Sequence, residues 1–335
     1  MERNTALDFI KGVAVLIMIF ANTVPYFFNL ESEFFIRIIF SVAAPIFIIS
    51  SGYITQINIT NPELKKSKII YRIFQILFFG AVIDALFWQS IPFITFDVLY
   101  LIGFSQLILL MINKKYLIFI CSAVFVFSLI VHQYLNYRFS INELTSFSIT
   151  SLIEANPIKR MLFDGWFPLL PWLSFFLLGS ISFIYLKDKF KFRMPFLFIG
   201  LSLLVIYFIF GNIPKIRNSY LELWYPLNGL ALLIPFGVFF SINGLLNYKI
   251  KADSIISKLI IIIGKNSLFI YTFHAFIICI IIDNKLLQNL TLTQKIGSFY
   301  LVVIFVIVIV FIFQKIKNYS VWLKTPKMIK FLLCN

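Results

Sequence analysis

The stretch Ile296-Gly297-Ser298-Phe299-Tyr300-Leu301-Val302-Val303-Ile304-Phe305-Val306-Ile307-Val308-Ile309-Val310-Phe311-Ile312-Phe313 contains no Asp, Glu, Lys, Arg or His. Wound as a helix it is about 27 Å long, close to the thickness of a bilayer's hydrocarbon core. Its Ile, Val and Phe would also suit a strand, but a membrane-barrel strand alternates apolar and polar residues over about ten positions. This stretch does not alternate. It reads as a transmembrane helix.

Working outward from it, ten apolar runs can be marked, near 7–29, 33–56, 68–88, 96–113, 116–134, 166–187, 194–212, 223–247, 258–283 and 296–314. The whole chain of 335 residues is 61% hydrophobic and only 13% charged. A soluble domain is nearer half apolar and a quarter charged, so this chain has too few polar side chains to cover a water-facing surface. The expected fold class is all-α, a polytopic transmembrane bundle of about ten helices. The first run begins only after Arg3, contains Asp8 and Lys11, and lacks a small-residue cleavage site, so it reads as a retained helix rather than a signal peptide.

The formal charge of +15 would suggest nucleic acid in a soluble protein. In a membrane protein it reflects cytoplasmic loops rich in Lys and Arg, and no nucleic-acid partner is expected. With the N-terminus inside, 21 of the 29 Lys and Arg residues fall on the cytoplasmic side. They include Arg3, Lys11, the 65–72 group, Lys114, Lys115, the 187–193 and 249–265 groups, and five from Lys315 to Lys330. The outer side holds Arg37, Arg138, Lys159, Arg160, Lys215, Arg217, Lys285 and Lys295. Both termini are therefore expected in the cytoplasm of a cell enclosed by this membrane, the inner (cytoplasmic) membrane in a prokaryote. Residues 1–317 read as one transmembrane domain, and 318–335 as a basic interfacial tail in which Lys alternates with Trp322, Leu323, Ile329 and Phe331. The longest loop, roughly 135–165, falls on the outer face and suits a lid or a short interfacial helix. Cys121, Cys279 and Cys334 form neither a disulfide framework nor a metal-ligand pattern. No internal repeat supports a transporter built from inverted halves.

Ionisable groups inside a span are costly and usually face a protein or water-filled interior. Asp8 and Lys11 lie three apart, on one face of the first helix. They read either as a structural ion pair or as a cation that meets an anionic substrate entering from the cytosol. His274 follows Asn266-Ser267-Leu268-Phe269-Ile270-Tyr271-Thr272-Phe273. Counted along one helix from Lys258, it sits at or past the bilayer centre, and imidazole is the side chain best suited to proton transfer near neutral pH. A hydrogen-bonded core histidine is the plainer reading. His132 lies nearer a helix end and is read that way. Asp84 and Asp97 flank a short outer loop, where solvation or a helix N-cap accounts for them.

Read together, these segments resemble the heparan-α-glucosaminide N-acetyltransferase catalytic family, within the wider membrane acyltransferases. The resemblance rests on five stretches in order. They are Arg3-Asn4-Thr5-Ala6-Leu7-Asp8-Phe9-Ile10-Lys11-Gly12 with the run to Asn22; Ala44-Pro45-Ile46-Phe47 with Ser51-Gly52; Phe96-Asp97-Val98-Leu99-Tyr100-Leu101-Ile102-Gly103; Phe167-Pro168-Leu169-Leu170-Pro171-Trp172 with Gly179; and Gly264-Lys265-Asn266-Ser267-Leu268 through Tyr271 to His274.

The resemblance implies transfer of an acyl group, usually acetyl from cytosolic acetyl-CoA or another acyl-CoA, to a sugar, glycolipid or similar acceptor beyond the membrane. No metal is implied. The expected partners are the lipid bilayer, the acyl-CoA and that acceptor, and a homo-oligomer is compatible with the scaffold. A cytoplasmic rim of Lys11, Lys65, Lys66, Arg72 and Lys265, with Asn266, would hold the coenzyme A phosphates, since clustered cations suit a polyanion. His274 would be the base, with Asp8 and Asn22 completing the catalytic set; Asn22, Ser51, Tyr271 and Asn266 are candidate oxyanion donors. Many membrane acyltransferases carry Arg, ten residues, then His in the first helix. Here that spacing gives Lys11 and Asn22, and the stretch after it offers Asn29, Glu31 and Glu33 but no histidine. Direct transfer, with His274 or an outer carboxylate as base, is then expected in place of a covalent acetyl-histidine. The competing readings are a transporter or lipid flippase on the same scaffold, or a catalytically degenerate homologue.

Overall fold

The computed structural model describes residues 4–28, 34–134, 157–187, 190–211, 229–246, 254–283 and 290–318. Among them every regular element is helical. The principal helices are α1 (Thr5–Phe27), α2 (Phe34–Ser41), α3 (Ala43–Thr60), α4 (Lys66–Leu86), α5 (Val98–Met111), α6 (Leu117–Tyr134), α7 (Leu169–Ile181), α8 (Arg193–Phe210), α9 (Leu233–Leu245), α10 (Ile255–Lys265), α11 (Ser267–Asp283) and α12 (Leu292–Asn318). Of the lid expected over 135–165 the described residues include only 157–165, which carry the short helical turns Pro157–Lys159 and Arg160–Asp164, and the tail expected over 318–335 lies outside them but for Asn318.

Seven helices among the described residues are long and apolar enough to cross a membrane. They are Thr5–Phe27, Phe35–Thr60, Lys66–Leu86, Lys114–Val131, Leu169–Leu186, Arg193–Phe210 and Leu292–Lys315. The pair Ile255–Lys265 and Ser267–Ile281 makes an eighth span if counted as one, and it is bent by 84°. Val98–Met111 and Gly229–Leu245 are shorter apolar helices, and they occupy the two runs that remain. Helix is the necessary outcome for such segments, because hydrocarbon offers the backbone no other hydrogen-bonding partner. Exposed side chains such as Phe198, Leu201, Ile209, Leu301 and Ile304 are apolar, as a lipid-facing surface requires.

The chain forms two compact units. One holds Ala44–Asn218 and Glu222–Tyr248, hence nearly all of α3 to α9; the other holds Glu2–Ala43 and Lys249–Asn335, hence α1, α2 and α10 to α12. In the first unit α3 meets α7 backbone to backbone. A methyl on Gly52 would run into the Phe176 carbonyl, and one on Gly179 into that of Ile49. Small residues at such crossings are how membrane helices approach closely without a hydrophobic driving force between them. Ser180 Oγ donates to the Gly52 carbonyl at 3.0 Å, and Cys121 of α6 donates to the Ser174 carbonyl at 3.4 Å.

The second unit uses the same device between α1 and α10. Any side chain on Gly12 would strike the Ile260 carbonyl, and any on Gly264 would strike the Asp8 carbonyl. One aromatic cluster closes this unit: Phe299 of α12 lies 5.5 Å from Phe20 and 5.7 Å from Phe27, ring centre to ring centre.

Candidate active site

The candidate site in the second unit begins at the first turn of α1. Asn4 caps this helix, its side-chain oxygen accepting from the Leu7 amide at 3.1 Å. One turn on, Lys11 Nζ lies 3.3 Å from Asp8 Oδ1, so the expected ion pair forms. Asp8 is buried and Lys11 is 13% exposed, which leaves the ammonium at the edge of the packed face. Because Gly264 seats against Asp8 and Gly12, the backbone at Lys265 is brought beside these same turns. Lys265 itself is exposed.

Asn266 interrupts the helix directly after Lys265. Its φ of −110° and ψ of 25° are not helical. Its amide nitrogen donates to the Ile262 carbonyl at 2.9 Å and to Gln314 Oε1 at 3.1 Å. Both N–H groups of the Asn266 side chain are thereby engaged. An oxyanion could take one only in exchange for a bond already made. The break also separates His274 from any straight helix that starts at Lys258. The direction turns by 84° at Asn266, so a count of residues from Lys258 is no measure of depth. His274 stands instead two turns into α11.

His274 is 2% exposed. Its Nδ1 lies 3.1 Å from the Ile270 carbonyl oxygen, one turn back. A carbonyl only accepts, so Nδ1 carries the proton and donates. In the neutral ring Nε2 then holds the lone pair, and it faces Asn22 Nδ2 of α1 at 3.0 Å. The Asn22 amide therefore donates to Nε2. The bond joins positions 252 apart in the chain. Lys11 and Asn22 are eleven residues apart, close to three full turns, so they share one face of α1 about 16 Å apart along its axis. Tyr271 packs edge-on to the imidazole at 5.4 Å between ring centres.

The remaining candidates belong to the first unit. Lys65 and Lys66 are exposed at the start of α4, and Arg72 donates to Gln75 Oε1 at 2.6 Å. Ser51 lies on α3. The structure therefore gathers Asp8, Lys11, Asn22, Lys265, Asn266 and His274 in one unit and Lys65, Lys66, Arg72 and Ser51 in the other. His132 lies on α6, its side chain outside the described residues.

The reading of Asp84 as a solvated loop carboxylate is corrected. Asp84 is fully buried at the end of α4. It accepts from Thr95 Oγ1 at 2.5 Å, Tyr100 OH at 2.8 Å and the Phe93 amide at 3.0 Å. These bonds fold residues 87–97 back over the helix end, where Gln89, Phe93 and Phe96 take the left-handed φ values of 46°, 73° and 45°. Such conformations cost about 1–2 kcal/mol each for residues with a Cβ, and the buried carboxylate offsets that cost. Asp97 does act as the N-cap of α5, accepting from the Val98 amide at 2.6 Å. Arg160, counted among the outer loop cations, is buried and donates through Nε to the Ile94 carbonyl. Below it, the Trp166 and Phe167 amides donate to the Thr95 and Phe96 carbonyls at 2.8 and 2.9 Å.

A model of the catalytic region of heparan-alpha-glucosaminide N-acetyltransferase matches residues 3–212, well over half of the chain. The chain belongs to this family. Membership points to a multi-pass membrane protein with acetyltransferase activity. No curated protein and no solved structure matches the chain significantly.

The family match covers Asp8, Lys11, Asn22, Lys65, Lys66 and Arg72 and stops before Lys265, Asn266 and His274. The five family-like stretches sort by unit. The second, third and fourth meet in the first unit, through Gly52 on Phe176 and the Trp166–Thr95 and Phe167–Phe96 bonds. The first and fifth meet in the second unit, through Gly12, Gly264 and the Asn22–His274 bond.

Proposed function

We propose that this family member is a membrane-embedded acyltransferase that moves an acetyl group from cytosolic acetyl-CoA to a sugar, glycolipid or other cell-envelope acceptor. The observation that carries the reading is the bond between Asn22 and His274. It presents a neutral imidazole with its basic nitrogen toward a polar partner on α1, in a unit whose other end carries Lys11 and Lys265. The family supplies the reaction class, and this geometry supplies residues that can do it.

In this reading Lys11 and Lys265 hold donor phosphates on the cytoplasmic side. An arm bearing the thioester runs along the α1 face toward Asn22. Once the acceptor's hydroxyl or amine displaces the Asn22 amide from it, His274 Nε2 takes the acceptor's proton as the new bond to the acetyl carbon forms. The carbon–sulfur bond breaks, and the proton passes from His274 to the departing thiolate. Asn22 serves both charge states of the ring. Its amide donates to the neutral Nε2, and after turning over it offers Oδ1 to the protonated one. Asp8 holds Lys11 in place. Residues 1–317 act as one catalytic domain with both termini in the cytoplasm.

The test is transfer of labelled acetyl from acetyl-CoA by the purified protein in liposomes supplied with envelope lipid and sugar extract. Label in the extract, lost in His274→Ala, is the expected result. Absence of both coenzyme A binding and label transfer overturns the reading.

A further inference from the structure

We propose that Gln314 is a positioning residue for His274, acting through the helix break at Asn266. The inference rests on the functional reading above but adds a residue outside the family match and outside every motif that pointed to the site. It begins from a continuous line of hydrogen bonds. Gln314 Oε1 on α12 accepts from Asn266 Nδ2 at 3.1 Å. The Asn266 carbonyl accepts from the Ile270 amide at 3.0 Å, which is the first bond to enter α11. The Ile270 carbonyl accepts from His274 Nδ1 at 3.1 Å, and His274 Nε2 accepts from Asn22 at 3.0 Å.

Each link fixes the next. A helix bent by 84° has no continuous ladder to set the direction of its second half, so something outside the helix must. The residue beside Gln314 does part of this: Phe313 stacks on Phe269 with ring centres 4.1 Å apart and planes 9° apart. Stacking fixes the spacing of α11 from α12, and the Asn22 bond ties α11 to α1, but neither contact is made at the break itself. The Gln314–Asn266 bond is made there, at the residue where the direction changes, and ties it to α12. Turning Asn266 would carry the Ile270 carbonyl with it and release the Nδ1 proton. That proton decides the tautomer, hence whether Nε2 carries the lone pair a base needs. Bonds in such a line also polarise one another.

The chain has only two histidines, so this is directly readable. Protein labelled with 15N-histidine in a His132→Asn background, held in nanodiscs, gives the ring signals of His274 alone. The parent should show a protonated Nδ1 and an unprotonated Nε2. Gln314→Leu should mix the two tautomers and lower kcat roughly tenfold or more with KM for acetyl-CoA unchanged. Gln314→Glu keeps an acceptor oxygen and should restore the parent spectrum. A folded Gln314→Leu protein with the parent tautomer overturns the proposal. If that variant does not fold, Asn266→Ala removes the donor from the other side and is read the same way. The ring signals need no turnover, so a parent that shows the expected tautomer but transfers no acetyl overturns the functional reading and leaves this one standing.

Discussion

Asn22 and His274 meet at 3.0 Å although 252 positions separate them in the chain. The contact pairs an amide on the first helix with an imidazole two turns beyond a helix break. A basic nitrogen is thus supplied to the α1 face from another helix. His274→Ala should abolish acetyl transfer while acetyl-CoA binding, measured by calorimetry on the nanodisc-embedded protein, stays near the parent value. Unchanged turnover would remove His274 as the base.

Asn22→Leu tests the partner. It removes the amide that donates to Nε2 without adding charge. The expected outcome is a fall in kcat of about tenfold to a hundredfold, in keeping with the roughly 1–3 kcal/mol lost when a buried polar group is left without its partner. Rates in single-turnover format separate this from a binding defect.

Lys11 belongs to donor binding in the proposed reaction, and its effect should appear in KM. Lys11→Met deletes one charge-assisted contact worth about 1.5–3 kcal/mol, so KM for acetyl-CoA should rise roughly tenfold to a hundredfold. Asp8→Asn frees the ammonium instead of deleting it, and its KM should move much less. Equal defects in the two variants would show that the pair matters only as a structural unit.

Asp84 governs stability and not the reaction. Asp84→Ala leaves the Thr95 and Tyr100 hydroxyls and the Phe93 amide without their acceptor, and the loss should be about 3 kcal/mol or more. Asp84→Asn keeps one oxygen and should cost roughly half as much. Thermal unfolding in detergent, followed by tryptophan fluorescence, checks both. Trp88 and Trp166 report on the spot, since their rings meet edge-on at 5.0 Å beside the loop.

Gly264→Val is the packing test. The added side chain would drive α10 away from the Asp8 carbonyl, and overpacking of this kind costs about 1–3 kcal/mol. The expected result is a protein that inserts in the membrane but shows no His274-dependent transfer. Cysteine cross-linking between introduced α1 and α10 positions measures the separation directly.

Much of this was legible early because the signals are local. A run such as 296–313 has only one low-energy answer in a bilayer, and the pairing of Asp8 with Lys11 needs nothing beyond a helix of known pitch. Asp97 as a cap is likewise a nearest-neighbour matter. Asp84 was misread for the opposite reason. Its position between an apolar run and a short loop looks solvated, and only the return of Thr95 and Tyr100 over the helix end encloses it. The burial of Arg160 against the Ile94 carbonyl is likewise a long-range contact that no local pattern announces.

The amino-acid sequence by itself determined that the chain is helical, that it is built to reside in a bilayer, and which polar groups are carried inside its apolar runs. Those follow from transfer free energy and helical pitch, which act residue by residue. Tertiary structure alone decided that Asn22 faces His274, that α10 and α11 are one run bent at Asn266, and that Gln314 holds that bend. The run 258–283 reads as one uninterrupted helix because hydropathy does not register an 84° turn. The turn exists because an amide side chain found partners on its own helix and on α12. Like the close approach that Gly12 and Gly264 allow, it is a property of packing and has no signature in any single segment.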